Sequence, residues 1–146
     1  MKQACPCIRY QDGYKYQLQT SARIQSGCIP GAAIHTEYIR LETNGELHLR
    51  EGYAWDGASG PMPDLKCIMR GSLAHDAMYQ LMREGHLDHA QFREAADRCL
   101  QRLCIEDGMW RLFAWLAYRV VRRFGNPYCD PSSQRPWIKA PGGCGP

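Results

Sequence analysis

Long apolar runs are missing from this sequence of 146 residues. The most apolar stretch, residues 109–124, contains four arginines, so it is too short and too charged to cross a bilayer. The first ten residues contain one lysine and no apolar run of the length that a secretory signal needs. We therefore expect no transmembrane segment, no signal peptide and a cytoplasmic location.

A strong charge of one sign is also missing, because 18 basic residues face 15 acidic ones and leave a net charge of +3. This balance falls short of the basic footprint of a dedicated nucleic-acid-binding protein, so we expect no nucleic-acid partner. The small excess lies at one end: residues 109–146 carry six Lys or Arg and a single acid. Such a patch suits anionic lipid or an acidic protein.

The paired Cys-x-x-Cys spacing of zinc ribbons and fingers is absent, although the chain has eight cysteines. Cys5 and Cys7 form only a Cys-x-Cys. Free cysteine packs as a small apolar side chain. We therefore predict mostly buried, reduced thiols, with structural zinc as the minor alternative.

The first half of the chain has the pattern of β structure. Residues 14–20 alternate, and residues 38–43 and 46–53 flank Asn44-Gly45, a pair typical of a type I′ hairpin turn. In the second of these strands Leu47, Leu49 and Glu51 fall on one face, and polar side chains fall on the other. The pattern predicts an antiparallel sheet with one covered face.

The second half predicts three helices, over residues 72–83, 88–104 and 109–124. Ser72 and Asp88 are suitable N-caps, and Gly85 suits the C-terminal end of the first helix. The buried stripe of the second helix is predicted to be Phe92, Ala96, Cys99, Leu100 and Leu103. The expected fold is a single α+β domain over residues 1–125, a small antiparallel sheet followed by three helices. Residues 126–146 form a Pro/Gly-rich C-terminal tail, expected as an extended arm.

The third helix has two predicted faces. The apolar face consists of Met109, Phe113, Ala117, Val120 and Phe124, and the opposite face of Arg111, Trp115, Arg119 and Arg122. The guanidinium groups of these arginines around the amphipathic ring of Trp115 suit a phospholipid surface or an acidic protein surface. The alternative is a solvated arginine face with Trp115 covered by the tail around Trp137.

The irregular stretch over residues 55–64 lies between the sheet and the helices. Its two glycines and two prolines exclude regular structure, and Gly57 and Gly60 let main-chain carbonyls turn toward a ligand. The same residues also fit a tight turn in which Asp56 and Ser59 bond their own backbone. The stretch is a candidate site loop.

His75 and Tyr79 share a face of the first helix, and Asp76 is rotated toward the preceding loop. If the first two helices pack antiparallel, Asp97 reaches a ring nitrogen of His75 and fixes its tautomer. His75, Asp97 and Tyr79 are therefore the candidate catalytic residues. The alternatives are a structural polar pair for His75 and Asp97, and for Tyr79 a core ring with a bonded hydroxyl. Asp76 with the loop residues Asp56, Gly57 and Gly60 would make an all-oxygen site suited to calcium.

These motifs resemble a known enzyme fold. Asp56-Gly57-Ala58-Ser59-x-Pro61, His75-Asp76-x-x-Tyr79 and Ala96-Asp97 are similar to the core of the phospholipase A2 fold in its bacterial and fungal branch. The resemblance implies a phospholipase A2-like helix pair, with His75 as general base, Asp97 as its partner and calcium held by Asp76 with the Asp56-Gly57 loop.

A second resemblance covers more of the chain, roughly residues 41–125. The string Trp-Asp-Gly-Ala-Ser-Gly-Pro, followed by Arg-x-Ser-Leu-x-His-Asp-Ala-x-Tyr-Gln-Leu, resembles the domain of unknown function 1353 family of tailed phages and prophages. Together the motifs imply a phage protein that is a calcium-dependent ester hydrolase, with phospholipid esters as the first substrates to try. The alternative is a non-catalytic phage accessory protein that binds a host factor or a virion component.

Overall fold

The computed structural model describes residues 8–10, 14–58, 61–134 and 138–140. They form an α+β fold, as predicted, in which most of the strands precede the helices. The strands are β1 (Ile8–Tyr10), β2 (Tyr16–Gln17), β3 (Ala22–Gln25), β4 (Ile34–His35), β5 (Ile39–Leu41), β6 (Glu46–Leu49), β7 (Ala54–Trp55) and β8 (Ile138–Ala140). The helices are α1 (Lys66–Arg83), α2 (His89–Glu106), α3 (Arg111–Phe124) and the short α4 (Asn126–Cys129).

The main sheet has four antiparallel strands in the order β3-β6-β5-β4. One face is covered, as predicted: Leu47 and Leu49 are buried against the helices, while Arg50 is exposed. Glu51 is exposed as well and does not continue the buried face. The strand predicted over residues 14–20 is shortened to β2, which pairs with the two-residue β7. The irregular loop begins directly after β7.

The β5–β6 hairpin turn is not the predicted type I′ turn. Gly45 has a φ of +84°, but Asn44 does not take a positive φ. The Gly45 amide donates to the Glu42 carbonyl, and the Glu42 amide donates to the Glu46 carbonyl, so the loop is one turn followed by a glycine bulge. This arrangement needs left-handed backbone at one position only, which glycine adopts without steric cost.

Helix α1 begins six residues before the predicted start. Ser72 is not its N-cap but lies buried within it, where its hydroxyl donates to the Met69 carbonyl and accepts from the Trp55 indole. A serine inside a helix can satisfy its hydroxyl in this way, so its residue type alone did not mark the helix start. The predicted end is confirmed, with a φ of +81° at Gly85. The Asp88 cap of α2 is also confirmed, because its carboxylate accepts from the Ala90 amide.

Helix α3 buries a different face from the predicted one. Its buried side chains are Ala114, Ala117 and Val121. Phe113 and Phe124 are 52% and 62% exposed, so of the predicted face only Ala117 within the helix and Met109 just before it are buried. Small alanines let α3 lie close to α2, and this close approach turns the larger side chains outward.

Residues 126–134 do not form an extended arm. They form α4 and a 3-10 turn at Pro131–Ser133, and Cys129 is buried in the core. The Arg83 guanidinium donates to the Tyr128 carbonyl, which ties α4 to the end of α1. Trp137, the predicted cover for Trp115, lies outside the described part of the chain.

The described cysteines are free thiols, and all but Cys67 are buried. Burial raises the pKa of Cys28 to about 12 and that of Cys99 to about 11. Such thiols pack as apolar groups and react poorly, because the thiolate is the reactive form. Cys5, Cys7 and Cys144 are not among the described residues.

The contact between α1 and α2 depends on the missing side chain of Gly71. A Cβ there would lie 3.0 Å from Leu100 Cδ1 and 3.2 Å from the Leu100 carbonyl oxygen. We expect Gly71→Ala to lower the free energy of unfolding by about 1 kcal/mol, since overpacking outweighs the gain in helix propensity. Urea unfolding measures this, and Gly31→Ala, which meets open space, is the control. A more stable Gly71→Ala would contradict the predicted overpacking.

Candidate active site

Asp97 of α2 is the centre of a buried polar cluster. Its Oδ1 lies 2.7 Å from His75 Nε2 and accepts a hydrogen bond of 2.6 Å from the Tyr79 hydroxyl. Its Oδ2 accepts a hydrogen bond of 3.0 Å from Arg122. Asp97 is 0% exposed and His75 is 3% exposed. The antiparallel packing of α1 and α2 therefore brings His75 and Asp97 together, as their spacing predicts, and it also brings Tyr79 to the same carboxylate.

Two arginines complete the cluster, and sequence reasoning missed both roles. Arg122 was expected on a solvated face of α3, but it pairs with Asp97 across the α2–α3 contact. Arg93 lies one turn before Asp97, and its guanidinium donates to the Tyr79 hydroxyl and to the carbonyls of Val121 and Arg122. The i, i+4 spacing of Arg93 and Asp97 was the one signal in the sequence.

The charges in the cluster stabilise one another. Burial alone would raise the pKa of Asp97, but hydrogen bonds from His75, Tyr79 and Arg122 outweigh it and hold this pKa below its ordinary value. Burial alone would lower the pKa of His75, but its contacts with Asp76 and Asp97 outweigh that effect and raise the pKa. His75 is thereby a stronger base than a free imidazole.

The Tyr79 hydroxyl donates a hydrogen bond to Asp97 and keeps its proton. Burial, with the nearby charge of Asp97, raises the pKa of its hydroxyl far above the ordinary range. Its ring lies against His75, with ring centroids 4.0 Å apart. These contacts are those expected of a core aromatic whose hydroxyl is bonded, and a neutral phenol is a poor proton acceptor.

A cleft of 630 Å³ opens beside the cluster, within the size range of small-molecule sites. His75 and Asp76 are part of its wall. Its polar lining includes Tyr53, Asp56, Gln80 and Arg83, and its apolar lining includes Trp55, Val120, Val121 and Phe124. The cleft thus places a buried His–Asp pair beside a space that can hold a partly apolar ligand.

The loop next to the cleft is held by Asp64, which sequence reasoning did not single out. The carboxylate of Asp64 accepts hydrogen bonds from the Ala58 amide (2.8 Å) and the Tyr16 hydroxyl (2.7 Å). Gly57 has a φ of +83°, and a Cβ there would lie 2.6 Å from Asp64 Oδ1. Only glycine fits this position. Ser59 and Gly60 lie between the described segments, so the predicted contribution of Gly60 stays a prediction.

Asp76 brings an acidic oxygen to the cleft. Its Oδ1 lies 3.9 Å from His75 Nδ1, and its carboxylate accepts a hydrogen bond from the Asp56 amide. Burial raises the pKa of Asp76, and the charge of Asp56 adds to this rise. A cation would offset both effects, and carboxylate oxygen is a ligand that calcium prefers. Over the described ranges no three His, Cys, Asp or Glu side chains cluster as metal ligands, so main-chain oxygens would have to supply the rest.

Comparison with protein-family models, curated proteins and solved structures finds no match to this chain. The resemblances to the phospholipase A2 core and to the phage family therefore stay predictions from the motifs. Among the described helices, none has both the length and the apolar character needed to cross a bilayer.

Proposed function

We propose that the protein is an ester hydrolase in which His75 is the general base. One observation carries the proposal: His75, which is paired with the buried Asp97, lies in the wall of the 630 Å³ cleft. Structural polar pairs need no access to a ligand-sized space. A base must reach its substrate, and this imidazole adjoins a space where a substrate can bind.

The proton chemistry follows from the contacts of the imidazole. Asp97 accepts a hydrogen bond from Nε2–H, which selects the tautomer whose Nδ1 can take a proton from water. The water then attacks the ester carbonyl, and Asp97 stabilises the imidazolium that forms. The tetrahedral intermediate collapses with cleavage of the bond to the alcohol oxygen, and the imidazolium gives its proton to that oxygen, so that the acid and the alcohol leave and His75 is neutral again. Tyr79 and Arg122 hold the Asp97 carboxylate in place during this transfer.

Calcium is the cofactor that we propose for this site. Asp76 would hold it, with loop oxygens from Asp56 and Gly57 and with Gly60 as the further predicted ligand. Bound there, it would supply positive charge for the oxyanion of the ester.

The cleft lining indicates the substrate class. Val120, Val121 and Phe124 suit an acyl chain, and Arg83 and Gln80 suit a polar or anionic head. Phospholipid esters combine both features and are the first class to test. The longer motif resemblance supports an origin in a phage or prophage genome.

The test is hydrolysis of a panel of soluble short-chain phospholipids and p-nitrophenyl esters by the full chain with millimolar calcium. The proposal predicts turnover of at least one ester with a free acyl product. If the folded protein cleaves none of them, the proposal fails, and the non-catalytic phage accessory protein becomes the better assignment.

A calcium effect on stability is a separate prediction. With a dissociation constant of about 10⁻³ M, 10 mM calcium should stabilise the fold by about 1.4 kcal/mol, because it binds only the folded state. Asp76→Asn should abolish the rise in melting temperature, whereas Glu37→Gln, an exposed acid on another part of the surface, should keep it. Thermal unfolding with and without metal measures the effect. If calcium, magnesium and manganese all leave the wild-type melting temperature unchanged, calcium is not a cofactor of this site.

A further inference from the structure

The outward side of α3 exposes large apolar side chains. Trp110 is 75% exposed and Leu112 is 58% exposed. We call the α3 outer surface the set formed by Trp110, Arg111, Leu112, Phe113, Trp115, Leu116, Arg119 and Arg123, all of which are exposed. Contiguous exposed apolar groups of this kind mark interaction sites more often than plain solvent-facing surface.

Cations lie among these apolar groups. Helix α3 contains four arginines and no acid. Among the described residues, Arg119 and Arg123 lie over aromatic rings, at 5.7 Å from Trp115 and 5.8 Å from Phe124, rather than against acids. Their positive charge is therefore available to a partner.

The charge decides which partner fits. A second copy related by a two-fold axis would place the same arginine-rich surface against itself, and like charges would meet with no acid on the helix to offset them. An anionic lipid surface has the opposite charge, and its headgroup region accommodates tryptophan and leucine beside arginine.

We propose that the α3 outer surface binds anionic membranes, with α3 lying in the plane of the headgroups. The residues of this surface differ from those expected from the sequence. Arg122 is not one of them, because its guanidinium pairs with Asp97. Arg123, Leu112 and Leu116 belong to the surface instead. The surface adjoins the cleft, since Val120 and Phe124 of the same helix line it. Membrane binding goes beyond the proposed hydrolysis and does not depend on it.

The experiment is co-sedimentation of the full chain with vesicles of pure phosphatidylcholine and of phosphatidylcholine with 30% phosphatidylglycerol, across a salt series. Binding should require the anionic lipid and weaken as salt rises. Changing Arg111, Arg119 and Arg123 together to glutamine should weaken binding about 100-fold, since each basic residue near charged lipid contributes about fivefold. Leu112→Ser with Leu116→Ser should also weaken it, because the apolar contact is lost.

A matched control separates this surface from net charge alone. Changing Arg23, Arg50 and Lys66, three exposed cations elsewhere on the fold, to glutamine removes the same charge and should leave binding within about threefold. Equal losses in both triple variants, equal binding to neutral vesicles or no binding at all would overturn the proposal. A dimer in sedimentation that Leu112→Ser disrupts would assign the surface to a second copy and overturn it too.

His75→Gln keeps this test apart from catalysis. The variant should bind anionic vesicles as the wild type does, because its substitution lies in the cleft and not on the α3 outer surface. Loss of binding in this variant would tie the membrane contact to the cleft and overturn the assignment to α3. A protein that binds vesicles but cleaves no ester would refute only the proposed hydrolase.

Discussion

Replacing Asp97 with alanine should lower the free energy of unfolding by about 3–5 kcal/mol, the range found when one partner of a buried ion pair is removed. The change deprives His75, Tyr79 and Arg122 of their shared acceptor and leaves a partly buried guanidinium without its carboxylate. Urea unfolding followed by circular dichroism at neutral pH measures the loss.

A conservative control separates the charge of Asp97 from a single hydrogen bond. Tyr79→Phe removes one donor and should cost only about 1 kcal/mol. If Asp97→Ala lowers the free energy of unfolding no more than Tyr79→Phe does, the cluster contributes little to stability and its charges do not stabilise one another.

The pH dependence of stability should follow the same cluster. The pKa of Asp97 is lowered in the fold, so its contribution is present above its ordinary pKa of 3.8 and is lost as the pH falls through the folded value. Asp97→Asn should flatten this part of the acid unfolding curve.

Replacing His75 with glutamine should reduce kcat/KM for ester cleavage about 10²- to 10⁴-fold, the usual contribution of a general base. Glutamine can still donate a hydrogen bond to Asp97, so we expect the fold to persist. In the wild type, kcat/KM should rise with pH to a plateau, because His75 must be neutral to accept a proton.

The matched control for this variant is His86→Gln, the same substitution at an exposed position between α1 and α2. It should leave kcat/KM unchanged. Near-wild-type hydrolysis by a folded His75→Gln would refute the base assignment, even if the protein proved to be an ester hydrolase.

Local chemistry made part of this fold predictable from the sequence. Asp88 and Gly85 mark helix ends because a side-chain cap and a left-handed glycine act within one turn of the backbone. The short link between α1 and α2 was enough to predict that Asp97 meets His75. Each of these features depends on neighbours near in sequence or on one antiparallel helix pair.

Tertiary packing alone decided the rest. Periodicity can show that α3 is amphipathic, but only the shape of α2 selects Ala114 and Val121 over Phe113 as the buried face. The same packing brings Arg122 against Asp97, because a buried carboxylate without a charged partner is strongly destabilising. Asp64, which holds the site loop, accepts a hydrogen bond from the hydroxyl of Tyr16, 48 residues away along the chain. Contacts between such distant residues leave no periodic mark in the sequence, because side-chain patterns record the exposure of each element and not the partner that it meets.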